Sequence, residues 1–119
     1  MARVKTGVTK RHRHKKVLGL TKGQRATRHS LYRRAHEAMM KSLAYAFRHR
    51  RERKGDMRRL WIIRINAAAR AEGLSYGQFI NGLSQAGVGI NRKMLANMAV
   101  QDTAAFGNLV ALAKQNIQN

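Results

Sequence analysis

The segment "RHRRERKGDMRRLW", residues 48 to 61, concentrates the side chains best suited to bind phosphate. No apolar residue stands between Arg48 and Asp56. Cations at this spacing would surround a helix, neutralise phosphates and make affinity steeply dependent on salt. A charged face in solvent is the alternative, but it does not explain why acids are so scarce. The sequence therefore predicts a rod that passes between several segments of nucleic acid.

Side chains for catalysis are too few and too scattered to form an active site. The five carboxylates stand among basic neighbours, which assigns them to ion pairs and helix caps rather than to acid and base work; they are Glu37, Glu52, Asp56, Glu72 and Asp102. The chain has no cysteine, which excludes disulfides and thiolate chemistry. We predict that the protein is not an enzyme.

Two further patterns fall short of a metal or phosphate-loop site. His12 and His14 lie in a cationic segment without a carboxylate or thiolate nearby, so we expect no metal site there. "GLSQAGVG" spaces two glycines as a phosphate loop does, but Val88 stands where that loop requires lysine and no strand is predicted before it. We interpret it as a turn and expect no cofactor.

The 119 residues carry a net charge of +20, from 25 Lys and Arg against five acids. Residues 1–56 hold 18 Lys and Arg against three acids, a net of +15, whereas residues 57–119 hold seven against two, a net of +5. Such charge repels itself in a compact state. We expect a polyanionic partner, with nucleic acid favoured over an anionic membrane surface.

The termini and hydropathy predict a cytosolic protein. No stretch approaches the roughly 18 to 20 apolar residues that span a bilayer. The opening "MARVKTGVTKRHRHKK" lacks the apolar middle region of a secretory signal.

The first thirty residues are predicted to be disordered or only nascently helical when alone, because they contain no aromatic residue and few apolar ones. From Ser30, apolar residues recur every four positions from Leu31 to Phe47, which predicts an amphipathic helix. A second apolar stripe begins at Met57 and extends the predicted helix to Glu72. One helix over residues 30–72 would be about 65 Å long and would protrude from a small domain. Gly55 is its weak point.

The remaining residues are punctuated as a small bundle of helices. Gly73 is predicted to end the long helix, and Ser75 with Gln78 forms a capping box for a helix to about Ala86. Asn91 and Asp102 are predicted caps of two more helices, to about Val100 and Gln115. We assign Trp61 to packing, and the other predicted core residues are Tyr76, Phe79, Ile80, Leu83, Ile90, Leu95, Met98, Phe106, Leu109, Val110 and Leu112. A base contact by Trp61 and base stacking on Tyr76 are the alternatives.

The predicted fold is all-α, with an extended basic N-terminal arm, a long protruding helix and a small C-terminal helical domain. We divide it into a basic nucleic-acid-binding arm and long helix, 1–56, and a C-terminal globular helical domain, 57–119. The residues predicted to contact nucleic acid, which the resemblance described below implies is RNA, are Arg3, Lys5, Lys10, Arg11, Arg13, His14, Lys15, Lys16, Lys22, Arg28, Arg33, Arg34, Arg48, Arg50, Arg51, Arg53, Lys54, Arg58, Arg59, Arg64, Asn66, Arg70, Arg92 and Lys93.

Two rival functions come from other classes. The predicted helices 75–86 and 91–100, with "AGVGIN" between them, can be interpreted as the helix-turn-helix of a DNA-binding regulator. The second helix offers only Arg92, Lys93 and Asn97 near its start before it becomes apolar, which is few for base recognition. A cationic helix on a membrane surface is weaker still, because the most cationic stretch lacks an apolar face.

Motifs in order along almost the whole chain resemble those of a known family. They are "MARVKTG", "RHKKVL", "YRRA", "RRERK", "RRLWIIRINAAAR", "LSYGQFINGL", "INRKMLANMAV" and "AFGNLV". The chain with these motifs is similar to the L-twenty family of bacterial large-subunit ribosomal proteins. "LWIIRINAAAR" and "SYGQFINGL" at this separation carry most of the specificity.

The resemblance implies a structural protein of the 50S subunit that binds 23S ribosomal RNA early in assembly. It also implies neighbouring ribosomal proteins as partners, no membrane or small-molecule partner, and in some bacteria repression of the protein's own messenger. An arm that begins at Met1 favours a bacterial or organelle-encoded product. The departures from the family pattern are Gln24 to Thr27, His49, Gly55 and Asn97, where RNA contacts are expected to differ.

Overall fold

The structure, a computed structural model, describes residues 5–117. Over that range its regular elements are all helical. They are α1 (Gly7–Leu20), a short 3-10 helix (Ala26–His29), α2 (Tyr32–Ala71), α3 (Tyr76–Gln85), α4 (Arg92–Gln101) and α5 (Thr103–Ile117). The prediction of an all-α fold with one long helix is confirmed.

The 40 residues of α2 form one continuous helix. Gly55 lies inside it without a break, so the helix tolerates the cost of about 1 kcal/mol that glycine carries relative to alanine. The chain divides into two compact units, Met1–Arg51 and Glu52–Asn119. The predicted domain boundary after Asp56 stays a prediction.

Local capping signals set the ends of the C-terminal helices as the sequence predicts. The Ser75 side chain accepts from the Gln78 backbone N–H, and the Gln78 side chain accepts from the Ser75 backbone N–H. The side chains of Asn91 and Asp102 accept backbone N–H groups at the starts of α4 and α5, both at 2.9 Å. Each bond satisfies a donor that the first turn leaves without a partner.

Gly73 ends α2 in the left-handed conformation, with φ +82°. The N–H of Gly73 donates to the carbonyl of Arg70, and that of Leu74 donates to the carbonyl of Ala69. This Schellman pattern needs a positive φ, which glycine adopts without strain.

A single apolar core stabilises the C-terminal unit. Phe79 of α3 is fully buried and its ring centre lies 5.1 Å from that of Phe106 in α5. The other buried members are Ile65, Ala69, Leu83, Leu95, Ala96, Val110 and Ala113, and Trp61 packs against them. The predicted packing roles of Trp61, Phe79 and Leu95 are confirmed. Two predicted core residues were wrong, because Ile90 is 38% and Leu112 36% exposed.

Helices α3 and α5 approach closely where Gly82 faces Ala113. A Cβ added to Gly82 would lie 2.5 Å from the carbonyl oxygen of Ala113 and 2.9 Å from its Cα. The absence of a side chain at Gly82 therefore permits this helix contact.

The N-terminal unit buries much less. Between residues 5 and 31 the only buried residue is Thr21, whose hydroxyl donates to carbonyls of the preceding turn. The structure forms α1 in this segment, and the prediction that the segment is disordered or only nascently helical when alone stays a prediction. The apolar face predicted for the start of α2 is buried only at Ala35. Leu31 is 56% and Phe47 53% exposed, because the short N-terminal segments cover only part of that face.

Substitution at Gly82 tests the helix contact. Gly82→Ala should lower the free energy of unfolding by about 1–3 kcal/mol, since the added methyl group overlaps backbone. Gly77→Ala in the same helix is the matched control, because nothing lies within 4 Å of its added Cβ, and it should raise stability by up to about 1 kcal/mol. Urea unfolding followed by circular dichroism measures both. Equal stability of the two variants would contradict the close approach.

The two parts of the chain should differ when separated. All core residues lie within 57–119, so that fragment should unfold cooperatively in urea. A fragment of residues 1–56 should show weak helical circular dichroism, because burial rather than propensity stabilises most helices. Noncooperative unfolding of 57–119 would remove the basis for treating it as a domain.

Candidate nucleic-acid interface

The most cationic section of the chain is also its most exposed. Every residue from Met40 to Leu60 is exposed, and these residues form the middle of α2. The sequence has no apolar residue between Arg48 and Asp56, and the structure confirms that this part of α2 has no buried face. A helix section of this kind needs partners other than protein core.

Cations in this section point in several directions from the helix axis. At about 100° per residue, Arg50 lies roughly opposite Arg48 on its part of α2. In the C-terminal unit, Arg53, Lys54 and Arg59 are separated by about 100° to 140° around the axis. Each section of α2 can therefore meet phosphates on more than one side.

Carboxylates compensate only a small part of this charge. Glu37 lies 3.9 Å from Arg33 and 3.3 Å from Arg34, and Asp56 lies 3.7 Å from Arg59. All of these side chains are more than half exposed, and exposed pairs contribute at most about 1 kcal/mol each. Residues 5–117 hold 24 Lys and Arg against five acids. Most of the positive charge is left for an external anion.

Aromatic rings position two of the arginines. The Arg48 guanidinium lies 4.7 Å from the centre of the Tyr45 ring, and that of Arg51 lies 4.5 Å from the centre of Phe47. Such contacts contribute about 0.5–1 kcal/mol at exposed sites. They restrain these two side chains on the surface of the helix.

The C-terminal unit restrains its own polar residues with hydrogen bonds. Arg70 Nε donates to Asn66 Oδ1 at 3.2 Å, one helical turn away on α2. Arg92 Nε donates to the Tyr76 hydroxyl at 2.8 Å. Arg92 stands in the first turn of α4, where a cation opposes the helix dipole. Its bond to Tyr76 holds it beside that helix N-terminus, and the RNA contact predicted for Arg92 stays a prediction.

The predicted RNA-binding residues fall into three groups. His14, Asn66 and Arg92 are half-buried, and His14 stacks on Tyr32 with ring centres 3.7 Å apart. Arg3 lies outside the described residues. The exposed ones are Lys5, Lys10, Arg11, Arg13, Lys15, Lys16, Lys22, Arg28, Arg33, Arg34, Arg48, Arg50, Arg51, Arg53, Lys54, Arg58, Arg59, Arg64, Arg70 and Lys93.

Sequence reasoning missed Lys41 and Tyr45. Lys41 Nζ lies 5.9 Å from the centre of the Tyr45 ring, so that this ring is flanked by two cations. The signal was available in the sequence, because Lys41, Tyr45 and Arg48 follow one another at helical spacings of four and three.

The structure also bears on the alternative functions. In the described residues, no group of three or more potential ligands is placed to hold a metal ion. Within residues 5–117 no helix has the length and hydropathy of a membrane span. The main packing of α3 and of α4 is against α5, whereas a helix-turn-helix packs its two helices as a unit. That packing disfavours the DNA-binding regulator.

Comparison with known proteins gives consistent matches. The family described as ribosomal protein L20 matches residues 3–109. The large ribosomal subunit protein bL20 of Dehalococcoides mccartyi is 65% identical over 113 residues, which cover 95% of each chain. The protein of the same name from Natranaerobius thermophilus is 62% identical over 117 residues, covering 98% of this chain and all, 100%, of that one.

Anion binding should order the free protein. Short polyphosphate should raise the melting temperature of the full chain by about 5 °C or more at saturation, because it relieves the self-repulsion of the folded state. The measurement is thermal circular dichroism, with sodium chloride at equal ionic strength as the control. An equal rise in both salts would show general screening rather than phosphate binding.

Proposed function

The chain belongs to the ribosomal protein L20 family, and on that premise we propose that it is a structural protein of the large ribosomal subunit that binds 23S ribosomal RNA. The role is architectural, with no chemical step. The observation that carries the proposal is the exposed cationic section of α2, in which cations outnumber carboxylates and point in several directions. Folded RNA is a polyanion that can surround such a helix.

RNA is a better partner than duplex DNA for this surface. A helix with cations on several sides requires phosphates on several sides, and a single straight duplex offers only one face to it. Structured RNA brings distant backbone segments together and is recognised by shape and by phosphate and 2′-hydroxyl contacts. The half-buried residues of the C-terminal unit, including Asn66 and Arg92, are held in fixed positions and would select the site.

The proposed roles of the two parts of the chain follow from the distribution of charge between them. Residues 1–56 form the RNA-binding arm and long helix, with most of the net charge, and residues 57–119 form the globular domain. A chain whose charge is compensated by several RNA segments would hold those segments together from an early stage of subunit assembly. Neighbouring large-subunit proteins would contact the exposed apolar side chains, such as Leu31.

The same chemistry supports binding to a second RNA. Phosphate contacts carry no sequence information by themselves, so a messenger that folds into a similar shape would compete for the surface. Repression of the chain's own messenger is part of the proposal on this ground.

Charge reversal on α2 tests the proposal. Replacing Arg50 and Arg51 by Glu should reduce incorporation into large subunits about tenfold or more, because like charges placed beside phosphate repel. Quantitative mass spectrometry of purified subunits measures incorporation in competition with the wild-type chain.

Two single substitutions with the same change of charge provide the control. Arg50→Glu and Lys114→Glu each change the net charge by two units, and Lys114 is an exposed residue of α5 outside the predicted interface. Only Arg50→Glu should reduce incorporation. Unchanged incorporation of the double variant would contradict the assigned interface. A loss of incorporation with Lys114→Glu as large as that with Arg50→Glu would contradict it as well.

A further inference from the structure

A groove in the N-terminal unit has the composition of a nucleotide site. Its volume is about 520 Å³, within the range of roughly 300–1,000 Å³ typical of small-molecule pockets. One wall is the side of α2 that carries Arg34, Glu37, Lys41 and Tyr45, and the other is formed by Gln24 and Arg28. We name it the Tyr45 groove.

The wall before α2 is held in a fixed conformation. Ala26 has φ +55°, which is strained for a residue with a side chain and persists only where the surroundings impose it. The Nδ1 atom of His29 lies 2.8 Å from the carbonyl oxygen of Gln24, so that Nδ1–H donates across this turn. Strained backbone is frequent at binding sites, and here it places Gln24 and Arg28 against α2.

The charges in the groove favour an anion. Arg28, Arg34 and Lys41 contribute three cations, whereas Glu37 is the single carboxylate of the lining. Glu37 is already paired with Arg34 and Arg33. Arg28 and Lys41 are therefore the cations best placed to bind a phosphate.

The groove also offers an aromatic surface. The Tyr45 side chain is 40% exposed, and it lines a second, smaller cavity of about 280 Å³ together with Lys41 and Arg48. Base stacking on an aromatic ring is tolerant of base identity and is a major source of affinity for single-stranded nucleic acid. Lys41 and Arg48 lie over the ring, 5.9 and 4.7 Å from its centre, and the centre of the His49 ring lies 5.7 Å away. A base stacked on Tyr45 therefore replaces one of these neighbours, and the cations stay close enough to attract the phosphate of the stacked nucleotide.

We propose that the Tyr45 groove binds one unpaired nucleotide of the ribosomal RNA, with the base stacked on Tyr45 and a phosphate bound by Arg28 and Lys41. This inference rests on the proposed function, because it presumes that RNA is the partner. It adds a base contact to an interface otherwise made of phosphate contacts. An acidic protein segment would satisfy the cations but would leave the ring and most of the volume unused.

The test is equilibrium binding of full-length protein to a large-subunit ribosomal RNA transcript at several salt concentrations. Tyr45→Ala should weaken binding about tenfold and leave the salt dependence unchanged, whereas Tyr45→Phe should match the wild type. Arg28→Gln should reduce the slope of log K against log salt by about 0.7, as expected for one contact to single-stranded RNA. Nucleotide-resolution chemical probing should show one unpaired nucleotide that loses protection with Tyr45→Ala.

Leu43→Ala is the matched control, because Leu43 is a large exposed side chain of the same helix that does not line the groove. Its affinity should stay within about twofold of the wild type. Equal losses at Tyr45 and Leu43, or no loss at Tyr45, would overturn the nucleotide site. A change with Arg28→Gln but none with Tyr45→Ala would indicate a phosphate or an acidic segment without a stacked base, and would also overturn it. If the wild-type chain does not prefer the RNA transcript to duplex DNA, the proposed function fails and the groove assignment fails with it.

Discussion

Uncompensated positive charge is the constraint on which the other features of this protein depend. A net charge of +20 on 119 residues opposes compaction, and the few exposed ion pairs of the described residues do little to offset it. The middle section of α2, residues 40–60, has no buried residue, and exposed ion pairs there contribute little stability. In the proposed function, phosphates of a surrounding RNA supply the missing opposite charge, so that folding and RNA binding by this helix depend on the same charge compensation.

The C-terminal unit is stabilised by helix packing and by helix caps rather than by charge compensation. Phe79 and Phe106 are buried together, Gly82 lets α3 and α5 approach, and side-chain caps satisfy the helix ends. The apolar side chains of this core are buried against one another within the protein, without any contribution from RNA. Such a unit can hold polar groups in fixed positions, whereas the described part of the N-terminal unit buries only Thr21 and Ala35.

The sequence predicted the features that depend on neighbours along the chain. The caps at Ser75 and Asn91 and the glycine that ends α2 are local signals, and they agree with the structure within a few residues. Predictions that required knowledge of distant packing were less successful. The pattern of apolar residues predicted that Ile90 is buried, but Ile90 is 38% exposed, because the described elements cover only part of its side chain. The Tyr45 groove was missed because Gln24 and Arg28 come beside α2 only through the turn at Ala26.

The central claim is that RNA phosphates compensate this charge while the folded units select RNA. Its most direct test is the affinity of the full chain for large-subunit ribosomal RNA and for length-matched duplex DNA, measured from low to high salt. The account predicts a steep loss of affinity with salt for both, in proportion to about 0.7–0.9 per phosphate contact, and a preference for RNA that persists at high salt. A shallow salt dependence, or equal affinity for DNA throughout, would contradict it.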